Sequence, residues 1–276
     1  MKTLPLWIGI VLALYVGFVG YVALRQDSFI FAPRATTDDE WKARIETLRA
    51  DYVSIVADDG EVLEGMFLSD HSKKQRPTII FFPGNAMLVE EIAPIFTRLP
   101  AMGFNVLLMD YRGYGLSTGK PNIAWMKRDA EKVFLAASQH PEVAHEHISV
   151  WGMSLGTGIA VHLASVMEVD KVILSAPFTS TVDLGARMFP IIPKMIIRKL
   201  LNQNMDTLAI AGSIKQPGLI FKAENDEEIP ADHAERVAQA WGGEAKLIEL
   251  KGQGHQDLLS SEEMWNETIT FLRGTE

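Results

Sequence analysis

The chain has 276 residues, enough for one large domain or two small ones, and its 47% hydrophobic and 22% charged composition is that of a globular protein. A net charge of −9, an isoelectric point near 5.3 and the lack of a basic stripe argue against a nucleic-acid partner. No cysteine is present, so disulfides, thiolate metal sites and a cysteine nucleophile are excluded.

Residues Leu4 to Leu24, LPLWIGIVLALYVGFVGYVAL, contain no charge and are apolar on every face of a helix. A helix of this length matches a hydrocarbon core of ~30 Å. A cleaved signal peptide is the competing reading. The following LRQDSF offers no small-x-small cleavage site, and the run is long for a signal core. Residues 1–25 are therefore read as an uncleaved single-pass membrane anchor. Lys2 stands on one side of it and Arg25 and Arg34 on the other, a near balance. The orientation adopted places the C-terminal domain on the exported side. Residues 26–50, polar and helix-prone, are expected to link this anchor to a domain spanning 51–276.

From residue 51 the chain alternates strand and helix signals. YVSIVADDGEVLEGMFLSD reads as a hairpin turning at Asp59-Gly60. PTIIFFPG, FNVLLMDYRG, HISVWGMS, DKVILSAPF, PGLIFKAEND and AKLIELKGQGH are short apolar runs that end in turn residues, as buried parallel strands do. Amphipathic stretches such as NIAWMKRDAEKVFLAASQ and ADHAERVAQAWG lie between them. The predicted class is α/β, a mostly parallel sheet with helices on both faces. Functional residues in such sheets collect at the carboxyl ends of the strands.

Ser154 sits in VWGMSLGTG, where a strand runs into a helix, and a serine in that turn presents an exposed hydroxyl. Small residues at Gly152 and Gly156 let the helix and strand backbones approach. A serine hydroxyl needs a base. Of the seven histidines, His255 in KGQGHQD follows a strand and is flanked by glycine. His140, His145 and His147 fall in a polar helix-to-strand connection, His162 on the helix after Ser154, His71 in a loop and His233 at a helix start. The base in turn needs a carboxylate to orient it. Asp226 ends LIFKAENDEEIP just beyond a strand, with Glu224 as the alternative. Two backbone N–H groups for an oxyanion are expected at Leu155, after the serine, and at Asn85 in FFPGNA.

Together FFPGNA, DYRGYGLSTGKP, GMSLGTG, KAENDEEIP and GQGHQD resemble the successive motifs of the α/β-hydrolase superfamily. They are most similar to its membrane-anchored serine hydrolases, related to acyl-protein thioesterase-like and serine aminopeptidase-like proteins. The resemblance covers roughly residues 50–275. It implies a Ser154, Asp226, His255 triad in the chain order of that fold, with Asn85 and Leu155 lining the oxyanion hole. DYRGYG is expected to shape a loop beside the site. Two departures are visible: Phe82 stands where histidine is common, and Ala223 where glycine is common. Residues 179–214, with MFPIIPKMIIRKLL and the cations Arg187, Lys194, Arg198 and Lys199, form an insertion read as a small helical cap. A cap that also touches the bilayer and admits acyl chains is compatible with it.

The expected activity is hydrolysis of carboxylic esters or thioesters through an acyl-enzyme, with no metal or organic cofactor. The implied partners are a small or lipid-like acyl substrate and, through the anchor, a membrane. A serine peptidase or amidase of the same fold is the nearest alternative. A non-catalytic binding or scaffold protein of that fold is the alternative from another class.

Overall fold

In a computed structural model of the chain, residues 6–274 are described. The expected start of the anchor at Leu4, and Lys2 before it, lie outside them. The elements in chain order are α1 (Leu6–Leu24), α2 (Gln26–Ile30), α3 (Asp38–Leu48), β1 (Asp51–Val56), β2 (Val62–Leu68), β3 (Arg76–Phe82), α4 (Val89–Phe96), α5 (Arg98–Ala101), β4 (Asn105–Met109), α6 (Ile123–Ser138) and β5 (Val143–Met153). They continue as α7 (Leu155–Val166), β6 (Val172–Ser175), α8 (Thr181–Met188), α9 (Lys194–Leu200), α10 (Thr207–Ala211), β7 (Gly218–Ala223), α11 (Ala231–Ala240), β8 (Ala245–Leu250) and α12 (Glu262–Arg273).

Local chemistry accounts for several boundaries. Thr37 and Glu40 form a reciprocal capping box that starts α3. Gly60, at φ +89°, supplies the left-handed residue of the β1–β2 turn. The Asn122 side chain accepts from the Trp125 backbone to open α6. That helix then buries Met126, Ala130, Val133 and Ala137, one stripe at helical spacing.

The eight strands form one sheet in the order β1-β2-β4-β3-β5-β6-β7-β8. The β1–β2 and β2–β4 pairs are antiparallel, and from β4 through β3 to β8 every pair is parallel. Alternation along the strands feeds two separate cores. Ile80, Phe82 and Val150 enter one, while Ile79, Phe81 and Trp151 enter the other. Burial on both faces explains why these strands read as unbroken apolar runs. In the second core Phe81, Phe96, Trp151 and Trp265 stack at centroid distances between 4.5 and 5.6 Å.

Strand β5 begins earlier than expected, so His145 and His147 belong to a strand and not to a connection. Arg76 pairs with Val143 and Thr78 with Ile148, so residues 144–147 bulge out of the ladder toward solvent. Their polarity gave no sign of a strand.

Helix α1 is long and apolar enough to cross a membrane. Its C-terminal half lies against the segment that carries α8 and α9, where Phe18, Val19 and Val22 pack with Val182, Ile192 and Ile197. The stretch expected as a linker is fastened to the domain. Arg34 carbonyl accepts from the Gly115 N–H at 2.8 Å, and the Arg34 guanidinium pairs with Glu91 at 2.6 Å.

Within the 179–214 insertion, Lys194 of α9 pairs with Asp183 of α8. Burial opposes ionisation of Asp183, but Lys194 and the hydroxyls of Thr179 and Ser180 hold its pKa down at about 2. A carboxyl with a depressed folded pKa stabilises above its unfolded value of about 4 and loses that contribution as pH falls toward about 2. Wild type is therefore expected to lose stability relative to Asp183→Asn between these limits, with a constant difference above pH ~5. Urea denaturation in pH steps measures this, and a difference that widens as pH falls would contradict it.

Candidate active site

Ser154 joins β5 to α7 with φ +48° and ψ −115°, a backbone strained for any residue but glycine. Its N–H donates to the Ser175 carbonyl at 2.9 Å, and its own carbonyl accepts from the Thr157 N–H and hydroxyl. Those bonds fix the turn so that the side chain projects above the carboxyl end of β5. The flanking glycines are sterically required. A Cβ on Gly152 would lie 2.3 Å from the Gly156 carbonyl oxygen, and one on Gly156 would lie 2.0 Å from that of Phe82.

His255 follows β8 and Asp226 follows β7, so parallel neighbours bring the two loops together. His255 Nδ1 lies 2.8 Å from Asp226 Oδ2, and the side chains are only 5% and 3% exposed. The other Asp226 oxygen accepts from the backbone N–H groups of Glu228 (2.9 Å) and Ile229 (2.7 Å), which leaves it a fixed acceptor. An acceptor fixed at Nδ1 favours the imidazole tautomer that carries its proton on that nitrogen and presents Nε2 as the acceptor. Glu224, the alternative acid, instead accepts from Lys251 (3.1 Å) and the Gly252 N–H (2.8 Å), away from His255.

Among the described residues Ser154 and His255 share no hydrogen bond, and the Glu228 carboxylate stands 3.7 Å from His255 Nε2. Glu228 and Ile229 nevertheless border the same cavity as Ser154, so the acid loop and the serine face one space. Catalytic hydrogen bonds often close only when substrate binds.

That cavity, about 470 Å³, also has Asn85 and Leu155 in its wall. Gly84 brings the β3–α4 loop against the serine: a Cβ placed on it would be 3.5 Å from the Ser154 Cβ. Among the described residues the backbone N–H groups of Asn85 and Leu155 have no protein acceptor, Leu155 being the first residue of its helix. Phe82, in an interior strand, is buried in the core and is not part of the cavity wall, and Ala223 is likewise buried.

The DYRGYG loop braces the Asn85 turn from behind, a role whose partners were not visible in the sequence. Asp110 Oδ1 accepts from the Val89 N–H at the start of α4 (3.0 Å), and Tyr111 donates to the Pro83 carbonyl (2.8 Å). Burial pushes the Asp110 carboxyl well above the ordinary range. Tyr114 donates to Asn85 Oδ1 at 2.8 Å, and the Ala32 N–H, just beyond the anchor, donates to the same oxygen at 2.9 Å. Burial lifts the Tyr114 phenol to about 12, so it remains a neutral donor near pH 7. Tyr114→Phe removes one donor to the turn and is expected to lower kcat by up to about tenfold with KM little changed. Steady-state ester hydrolysis tests this, and an unchanged kcat would remove Tyr114 from the positioning set.

The remaining histidines have other partners. His162 meets Glu131 at 2.8 Å, and His71 meets the Arg49 carbonyl at 2.7 Å. His140 packs on Phe67. His233 is buried, and its Nδ1 accepts from the Thr179 N–H at 3.1 Å, which ties α11 to the base of the 179–214 insertion. Burial lowers its pKa and keeps it a neutral acceptor. Among the described residues no group of three or more His, Asp or Glu side chains could hold a metal ion.

Comparison with known proteins agrees with the fold. Residues 73–197 match the family model described as Hydrolase_4, serine aminopeptidase, S33. The chain is 28% identical over 276 residues to the uncharacterized protein Rv2307c of Mycobacterium tuberculosis, covering 99% of this chain and 96% of the relative. It is 27% identical to the alpha/beta hydrolase domain-containing protein WAV2 of Arabidopsis thaliana, over 83% of this chain and 80% of that one. The chain has the α/β-hydrolase fold, and these relatives place its similarity within that superfamily. Among solved structures, the Pyrococcus furiosus esterase Pf2001 shares its fold with a TM-score of 0.64 at 21% identity, over 88% of this chain and 95% of that one. The matches support a hydrolase of the serine type in general terms. Within this fold, the residues matched by the family model run from the segment before β3 into α9, and so include Asn85, Ser154 and about half of the 179–214 insertion.

Proposed function

We propose that this protein is a membrane-anchored serine hydrolase that cleaves carboxylic esters or thioesters, with Ser154, His255 and Asp226 as nucleophile, base and orienting acid. The observation that carries the reading is the buried Asp226–His255 pair, whose acid loop borders the same cavity as a serine held at φ +48°. His255 Nε2 takes the hydroxyl proton as Ser154 Oγ attacks the carbonyl carbon. The backbone N–H groups of Asn85 and Leu155 stabilise the oxyanion. Collapse of the intermediate breaks the bond to the alcohol or thiol, which leaves with the proton from Nε2. Water, deprotonated by the same nitrogen, then attacks the acyl-Ser154 ester and releases the acid. Helix α1 anchors the enzyme, with the hydrolase domain on the exported side.

A peptidase reading has one observation in its favour, the description of the matched family as serine aminopeptidase. The mainly apolar wall around Ser154 favours acyl chains over charged aminoacyl groups. A panel of p-nitrophenyl esters, acyl thioesters and aminoacyl amides decides between them, run with wild type and Ser154→Ala. Ser154-dependent turnover of esters or thioesters at more than about a hundred times the amide rate is expected, a margin of about 2.7 kcal/mol. Faster amide turnover would overturn the ester reading in favour of the peptidase.

A further inference from the structure

One wall of the cavity at Ser154 is built by the anchor itself. Val19, Val22 and Ala23 of α1, with Phe29 and Ile30 of α2, line it opposite Leu184, Phe189 and Ile192 of the insertion. The two walls are fastened together. Tyr15 donates to the Ile191 carbonyl at 3.1 Å, Gln26 accepts from the Asn202 N–H at 2.7 Å, and Gln203 donates to Asp27 at 2.9 Å. Phe18 and Phe29 both pack edge-on against Phe189.

These contacts set a depth. Helix α1 has 19 residues and is about 28 Å long, close to the ~30 Å hydrocarbon core. Tyr15 lies nine residues before Leu24, about 14 Å along the axis. With α1 across the bilayer, the segment around Ile191 therefore sits within the leaflet adjoining the hydrolase domain. Its outward side chains suit that solvent: Met188, Ile191 and Met195 are 54%, 63% and 68% exposed. Arg198 and Lys199, at the exposed end of α9, are long enough to place their charges at headgroup level. An apolar cavity that begins at Ser154 and is walled by a membrane helix takes an apolar occupant from that membrane.

Resting on the hydrolase reading above, we infer that the anchor helix is part of the substrate site, and that the acyl chain of a bilayer-resident ester or thioester enters beside Val22, between α1 and the insertion. The carbonyl then reaches Ser154 at the interface while the chain stays in an apolar environment. Chain-length preference is thus written partly in α1, a segment that otherwise serves only as a tether.

The test uses the full-length protein in phosphatidylcholine nanodiscs with p-nitrophenyl palmitate and p-nitrophenyl butyrate. Val22→Trp is expected to lower the palmitate-to-butyrate ratio of kcat/KM at least tenfold. Leu24→Trp, at a position 87% exposed and outside the cavity wall, leaves the ratio unchanged. Because the chain has no cysteine, Val22→Cys gives a unique thiol in a small side chain. Phosphonylation of Ser154 by a hexadecyl fluorophosphonate should slow N-ethylmaleimide at that thiol at least fivefold relative to an ethyl fluorophosphonate. Ser154-dependent butyrate hydrolysis with an unaltered ratio and equal maleimide rates overturns this inference alone. Absence of any Ser154-dependent hydrolysis overturns it together with the hydrolase reading.

Discussion

Asp226→Asn is expected to lower kcat for a p-nitrophenyl ester by about 10⁴-fold while KM changes little, the scale of losing the correct histidine tautomer in a serine triad. The reason lies in the bonding of the carboxylate. Asp226 Oδ1 is committed to the N–H groups of Glu228 and Ile229, so an asparagine keeps its carbonyl oxygen there. Its NH₂ then replaces Oδ2 at 2.8 Å from His255 Nδ1 and presents a donor to that nitrogen. The imidazole responds by moving its proton to Nε2, where it no longer accepts the serine proton. The side chain stays buried and nearly isosteric, so the fold persists, and unchanged thermal melting is the companion measurement. A loss of less than tenfold would mean that Asp226 does not orient the base.

Gly156→Ala is expected to be the most damaging single methyl in the protein. The added Cβ would lie 2.0 Å from the Phe82 carbonyl oxygen and 2.8 Å from that of Pro83. Both are backbone atoms at the end of β3, where the chain enters the Asn85 turn, so no side-chain rotation relieves the clash. Either α7 backs away and Ser154 with it, or the turn is displaced from Ser154. A destabilisation on the order of 4 kcal/mol is expected, with ester hydrolysis lost from whatever fraction folds. Gly212→Ala is the control: its φ is −66° and its Cβ would stand 3.5 Å from the Ala240 carbonyl oxygen, an ordinary contact. Denaturant titration of the two variants measures the contrast. Equal stability would show that the β5–α7 turn tolerates a wider approach than its geometry indicates.

Much of the fold was legible because it rests on local and periodic signals. Apolar runs ending in turn residues marked all six parallel strands, and Asp59-Gly60 marked the hairpin. Ser154, Asp226 and His255 were named from strand-end positions, and the last two meet across neighbouring loops. Asp226 was preferred to Glu224 only on its place in the motif, since both stand in one acidic loop. The bonding of Glu224 to Lys251 and Gly252 is what separates them. What stayed hidden is contact between non-periodic segments. The Ala32 N–H and Tyr114 hydroxyl on Asn85 join residues 53 and 29 positions apart, and no spacing rule connects them. The same holds for α1 as a cavity wall: an all-round apolar helix shows no preferred face, so its sequence cannot say which residues look toward a substrate.

The claim on which everything else depends is that Ser154 is an activated nucleophile. Intact-protein mass spectrometry after treatment of the full-length enzyme with an ethyl fluorophosphonate tests it most directly. One phosphonyl adduct located on Ser154, lost in Ser154→Ala and strongly slowed in His255→Ala, is the predicted result. A folded wild-type protein that takes up no label, or takes it up equally without Ser154, would contradict the account.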